Sequence, residues 1–447
     1  MSEPSVTAEE LGDIAQQILG LARQQGADKA QVSLSRSQGL SLRMRQGRVV
    51  SRTREAHSGF SLTVFCGARQ GSVNSTDLKG RTLEESVKAA CAIARYTQDD
   101  PASGPADRAL LGQSQLDLDL HHPWALSEDR AVALAQRIER GIGELGPAVQ
   151  SEDARVTTQE SYFQLATSEG FNAGTAQTLH TLVAGAIARN DSYSERDHWV
   201  ESARQSASLL EPEDVGRRAG AAAKAYLDRA PLTTRRCPVL FDPQAATSLL
   251  AHFSQAVSGS ALFMKSTFLL GKLGEPVMSR HLSLAEDPFI PSALASFNFD
   301  GDGIAPRQRL LVEDGDLRGY LLSLYSARRL GLLPTGNGYG PGNLRLGSTL
   351  TEPSDHFAAM LKKLGTGFLV TTLVGNGVRL ITGDYSRGAR GFWVENGEIK
   401  HAVTGVTLSG NLQRMFMGIV AVGSDCVTQG AFTSGSILID EMHVAGQ

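Results

Sequence analysis

The sequence predicts an α+β protein in which two tandem helix–β-meander–helix units precede a β-rich C-terminal domain. Three observations carry this. Apolar residues near the N-terminus recur at helical spacing, a glycine-punctuated stretch then alternates with the period of strands, and two Asx-Gly hairpin signals fall in the last third.

Thr7-Ala-Glu-Glu10 reads as a capping box, with Thr7 accepting from an orphan N–H while Glu10 reaches back. The helix that follows sets Leu11, Ile14, Ile18 and Leu21 on one face and stops at Gly26. From Ala30 to Asp77 the glycines at 39, 47, 59, 67 and 71 divide QVSLSRS, LSLRMRQ, RVVSRTRE and FSLTVFC into an antiparallel meander. Thr82-Leu-Glu-Glu85 caps a second helix that runs to about Tyr96, and the linker DDPASGPADR follows. The pattern then recurs. A helix from about Ser127 to Leu145 precedes strand-like SYFQLATS and QTLHTLVAGAIAR, and DVGRRAGAAAKAYLDR closes the unit. The expected domains are therefore 1–110, 111–233 and 234–447. In the last, VEDGDLRGY and VENGEIKHA offer the positive φ angles of tight type I′ turns, and one short helix is expected from about Ser354 to Leu364.

The bulk numbers exclude several classes. Lys+Arg 43 against Asp+Glu 47 gives a net charge of −4, and no basic run stands out, so neither nucleic acid nor a membrane surface is an expected partner. Cys66, Cys91, Cys237 and Cys426 form no C-x-x-C, as suits reduced thiols in a cytoplasm. No apolar run reaches the ~20 residues that span a bilayer, and MSEPSVTAEELG lacks the apolar core of a signal peptide. A soluble cytoplasmic protein is expected.

Common catalytic motifs fail. HExxH, G-x-S-x-G and the P-loop are absent. NFDGDG (Asn298–Gly303) begins like a calcium loop, but Arg309 occupies the position of its bidentate Glu, so a solvated turn is expected. His121-His122 precedes Pro123 and reads as surface. PTGNGYGPGN (Pro334–Asn343) could cradle a phosphate but lacks a following helix, and reads as a mobile loop.

One segment is far more specific. ITGDYSRGARGFWVENGEIKHAVTGVTLSGNL (Ile381–Leu412) resembles the C-terminal signature of the TldD/PmbA family of metallopeptidase subunits. YSARRLGLLPTGNG, KSTFLLGKLGEPV and the closing ILIDEMHVAGQ carry the same likeness, which extends over essentially the whole chain and is weaker across its first 230 residues. The resemblance implies two arms. TldD-type chains carry an HExxxH helix whose histidines bind zinc, with a C-terminal cysteine as third ligand and the Glu activating metal-bound water. PmbA-type chains lack the motif and pair with a TldD-type subunit.

LLAHFSQAVSG (Leu249–Gly259) decides the arm. Laid over the HExxxH helix without a gap, it puts Ala251 and Ala256 at the histidine positions and His252 at the Glu position. Shifted by one residue, His252 takes the first ligand position, Phe253 the base and Val257 the second ligand. Neither register leaves a zinc site, so no metal and no catalytic residue is expected in this chain; zinc belongs to the TldD-type partner. Ser258-Gly259 can end the helix. Cys426, in GSDCVTQG, lacks the family's Cys-Gly context. His252 reads as a helix histidine of a core or an interface.

In GDYSRGARG, Asp384, Arg387 and Arg390 offer a peptide or its carboxylate terminus a binding site; equally, they are charges that pair with one another in a glycine-bent connector. Both readings stand. The resemblance implies the non-catalytic half of a zinc metalloprotease acting on unfolded proteins and small peptides, antitoxins and bacteriocin precursors among them, with an extended peptide docking along a groove wall as an added strand. It also allows a homodimer. The alternatives are an interaction protein that modulates DNA gyrase, as the family's older name suggests, and a self-sufficient hydrolase.

Overall fold

The computed structural model of the chain describes residues 8–112 and 116–446. Thr7, and with it the proposed capping box, lies outside them. The α+β class holds, with a β-rich C-terminal region. The described residues form two compact units: Met1–Lys224 with Pro291–Ala293 and Asn298–Ala305, and Ala225–Ile290 with Leu294–Phe297 and Pro306–Gln447.

In the first unit, α1 (Ala8–Gln24), β1 (Lys29–Arg45), β2 (Arg48–Cys66), β3 (Arg69–Ser75) and α2 (Gly80–Tyr96) are answered by α3 (Glu128–Gly143), β4 (Val149–Thr167), β5 (Asn172–Arg189), β6 (Ser194–Ala203) and α4 (Pro212–Lys224). The two meanders merge into one sheet of order β3-β2-β1-β4-β5-β6, joined where β1 pairs antiparallel with β4. Leu11, Ile18, Val32, Leu34, Leu62, Leu83 and Val87 form a shared core under α1 and α2.

Two local expectations are corrected. Gly47 and Gly67, both at positive φ, do turn the chain, but Gly39 and Gly59 lie inside single long strands. A Cβ on Gly39 would stand 2.7 Å from the Thr158 carbonyl oxygen, and one on Gly59 2.7 Å from that of Ser75. These glycines permit close approach rather than a turn. The second helix is not capped by Thr82. Its N-cap is Lys79, without a side-chain cap bond, and the Thr82 hydroxyl instead donates at 2.6 Å to Asp77, which also accepts from Lys79 N at 3.0 Å.

The second unit contains β7 (Arg235–Phe241), α5 (Pro243–Ala256), α6 (Gly259–Phe263), β8 (Leu282–Glu286), β9 (Arg309–Glu313), β10 (Asp316–Leu317), α7 (Leu324–Leu330), β11 (Leu344–Ser348) and α8 (Phe357–Leu364). It continues through β12 (Gly367–Val374), β13 (Val378–Arg379), β14 (Asp384–Glu395), β15 (Glu398–Asn411), α9 (Leu412–Met417), β16 (Ile419–Val422), β17 (Val427–Gln429), β18 (Phe432–Ser434) and β19 (Ile437–Ala445). Both predicted hairpins form: Asp314-Gly315 and Asn396-Gly397 take positive φ at both turn positions. The expected helix at 354–364 is α8, and α7 and α9 are short helices in stretches read as strand-rich.

One sheet has the order β10-β9-β8-β11-β18-β17; the other has β12-β7-β19-β15-β14-β13, with β16 on β19. Because β14 also pairs with β12, β12, β7, β19, β15 and β14 form a closed ring. Closure removes the edges that so many strands would otherwise expose. Val239, Phe241, Phe368, Val370, Tyr385, Val406, Leu408 and Ile439 belong to the core of this unit, against which Leu249, Leu250 and Phe253 of α5 pack.

Candidate functional site

Asp242 starts α5 by accepting from Ala245 N at 2.7 Å, and Pro243 fits the first turn, where no N–H partner exists. The helix ends at Ala256, and Ser258 caps α6 by accepting from Ala261 N. Ala251 is half-buried and Ala256 fully buried. Five residues apart, they point about 140° apart on a regular helix, and neither methyl offers a lone pair.

His252 is half-buried against β14. Its ring meets Tyr385 edge-on, with centroids 6.2 Å apart and planes at 76°. Both ring nitrogens are shielded from solvent and have no hydrogen-bond partner. Burial, with a smaller contribution from the Arg387 charge, pushes its pKa down to about 4. The imidazole is therefore neutral at neutral pH, and as a buried neutral ring it leaves an N–H unsatisfied. The Tyr385 hydroxyl likewise makes no well-aligned hydrogen bond. Burial raises its pKa to about 12 although Arg387 nearby pulls the other way.

The residues present do not fit zinc. Among the described residues, no group of three His, Cys, Asp or Glu side chains is placed to hold a metal ion. Cys426 is exposed and lines a separate shallow cavity with Arg345, Ser348 and Glu352.

GDYSRGARG is not a bent connector. It begins β14, which runs between β12 and β15. Asp384 accepts from Thr382 Oγ1 at 2.7 Å and from Asn411 Nδ2 at 3.5 Å, so its partners are not the arginines. Arg387 Nε donates to the Gly375 carbonyl at 2.9 Å. Arg390 lies over the Tyr226 ring at 4.6 Å, and Phe392 stacks on the same ring with centroids 5.4 Å apart. A bulge at Thr371 in β12 lets its hydroxyl hydrogen-bond to the Tyr226 hydroxyl. The three charged residues thus have three separate environments along one strand. Sequence reasoning missed Tyr226, Thr371 and Tyr385; only the aromatic residue inside GDYSRG was a local signal that this segment has a buried face.

Three further expectations are corrected. His121 and His122 are half-buried: His121 Nε2 lies 2.7 Å from Glu160 Oε1, and His122 Nε2 3.1 Å from Asp119 Oδ1. Asp300 of NFDGDG is fully buried and accepts from Asp302 N and Ile304 N at 2.9 and 3.1 Å, so the turn is not solvated. PTGNGYGPGN is tied down. Buried Glu286 accepts from Asn337 Nδ2 (2.6 Å), Gly342 N (2.9 Å) and Arg309 Nε (2.7 Å). Arg309, absent from any calcium loop, instead supplies the counter-charge here.

Comparison with known proteins identifies the family to which this fold belongs. Residues 30–94 match the PmbA/TldA metallopeptidase domain 1, 121–227 the central domain and 234–446 the C-terminal domain. The chain is 39% identical over 430 residues to the Metalloprotease PmbA of Escherichia coli O157:H7, covering 94% of this chain and 93% of that one. It is 34% identical over 433 residues to a Metalloprotease PmbA homolog of Haemophilus influenzae, covering 95% and 94%. A Bacteroides thetaiotaomicron crystal structure, described as a candidate modulator of DNA gyrase, superposes with a TM-score of 0.93 at 26% identity, covering 99% of this chain and 100% of that one. TldE from Thermococcus kodakarensis has the same fold, with a TM-score of 0.85 at 17% identity and coverage of 97% and 100%. The chain belongs to the PmbA/TldD family of metallopeptidases.

Proposed function

We propose that this chain is the non-catalytic member of a two-chain zinc metallopeptidase that degrades or processes unfolded proteins and small peptides. A TldD-type partner holds the metal, and this chain supplies one wall of the substrate groove. The observation that carries the reading is α5, where alanines stand at both positions from which the family's other arm would bind zinc, beside a neutral, half-buried His252. Metal hydrolysis needs three protein donors and an open coordination position. In this reading Arg387 and Arg390 hold substrate carbonyls or carboxylates.

The test measures zinc content and peptide cleavage for this chain, for the TldD-type chain, and for the mixture. Expected are zinc in the partner alone and chelator-sensitive cleavage in the mixture. Full activity of the partner by itself would remove the groove-wall role, and chelator-resistant cleavage by this chain would establish a self-sufficient hydrolase. The description of the Bacteroides neighbour favours a second reading, an interaction protein for DNA gyrase. Capture of gyrase by this chain without the TldD-type subunit would support it.

A further inference from the structure

β2 is paired with β1 from end to end, but β3 covers only Phe60–Cys66 on its other side. Arg48–His57 is therefore an open edge, and every residue from Val50 to His57 is exposed. Along such an edge alternate residues turn unpaired N–H and C=O groups outward, ready to template another strand.

A cavity of about 680 Å³ adjoins this edge. Its floor is a patch of cross-strand neighbours: Arg54 and Ala56 of β2 face Leu40 and Gln38 of β1, which face Thr158 and Glu160 of β4. Trp124 lines the cavity and gives it an aromatic wall. Glu160 is already engaged, accepting from Gln38, Tyr162 and His121. The occupied carboxylate leaves the arginines of the edge as the unspent charge beside the cavity.

The edge is basic. Arg48, Arg52 and Arg54 outnumber Glu55, and one carboxylate, Glu128, serves two guanidiniums, at 2.9 Å from Arg54 and 3.6 Å from Arg52. These charges oppose pairing with a second copy. Two β2 edges antiparallel about a two-fold axis at Thr53 would set Arg52 of each against Arg54 of the other, and like charges directly opposite destabilise a ladder. A strand with carboxylates two residues apart meets the same two arginines favourably.

We propose that the open edge of β2 and the adjoining cavity bind an extended acidic peptide segment, added to the sheet as a further strand. Main-chain bonds to β2 supply affinity, carboxylates oppose Arg52 and Arg54, and the side chain opposite Ala56 enters the cavity beside Trp124. The site lies wholly within the first unit and is independent of the two-chain reading above.

The probe is a fluorescein-labelled peptide, Thr-Gln-Thr-Glu-Thr-Glu-Thr, titrated with the full chain at low salt and followed by anisotropy. A version with Lys for Glu and two versions with alternate amides N-methylated serve as controls. Expected are binding of the acidic peptide at least about tenfold tighter than the Lys peptide, and loss of binding on methylating one alternate set of amides but not the other. In Arg52→Glu/Arg54→Glu the preference should invert. Equal binding of acidic and basic peptides, or indifference to both methylation patterns, overturns the proposal without any variant having to fold. So does sedimentation showing that the chain self-associates and that the charge-reversed variant does not, because a second copy then occupies the edge.

Discussion

His252→Leu isolates what a buried, partnerless imidazole costs. In the folded chain its pKa lies at about 4, against about 6.5 for an exposed histidine. The folded value is depressed, so the stability associated with the neutral ring is fully present above about pH 6.5 and is lost as pH falls toward about 4. The unfolded chain takes up the proton first. The complete loss is on the order of 3 kcal/mol, and at about pH 5 about 2 kcal/mol has already gone. Leucine has no proton to gain, and replacing orphaned polar atoms by an apolar group of similar size costs little. At pH 7 the variant should therefore lie within about 1 kcal/mol of the parent, and at pH 5 it should be the more stable by about 2 kcal/mol. Urea unfolding followed by circular dichroism at both pH values measures the difference, and NMR of the histidine ring protons reads the pKa directly. A His252 resonance titrating near 6.5, or parallel pH dependence in the two proteins, would refute the reasoning.

Glu286→Ala should cost about 3–5 kcal/mol, since it strands the Arg309 guanidinium, only 20% exposed, without its carboxylate. Glu286→Leu/Arg309→Met should recover much of that in urea titrations, and a double variant as weak as the single one would show that the ion pair is not the cause. Arg390→Ala should lower stability by about 0.5–2 kcal/mol through loss of its contact with the Tyr226 ring. Arg387→Ala should leave Tm unchanged and raise the KM of the two-chain complex several-fold; unchanged Tm and KM in both variants would leave neither role standing. Gly71→Val places a Cβ 2.1 Å from the Ala90 carbonyl oxygen under α2. Thermal unfolding should show a loss of about 1–3 kcal/mol or more, and a neutral result would mean that α2 can shift freely on the sheet.

Features governed by neighbouring residues were legible in the sequence. Asp314-Gly315 and Asn396-Gly397 form turns because tolerance of positive φ is a property of the residues themselves. The absence of zinc donors at Ala251 and Ala256 is also a fact of composition, visible once the helix is recognised. What distant segments decide was not legible. A glycine that bends the chain and one that admits a neighbouring carbonyl are the same letter, so Gly39 and Gly59 looked like strand ends until Thr158 and Ser75 were seen against them. One of the two readings of GDYSRGARG made it a bent connector because β12 and β15, which hold it straight, lie on either side of it only in the folded sheet. Asp300 looked solvated and the loop holding Asn337 looked mobile because polarity predicts exposure until hydrogen bonds compensate burial, and for Asn337 the compensating carboxylate is Glu286, 51 residues away. The neutrality of His252 belongs to the same class. Its chemical identity lies in the sequence, but its pKa is set by the core that excludes water and by Arg387 of a strand that only the tertiary fold brings to it.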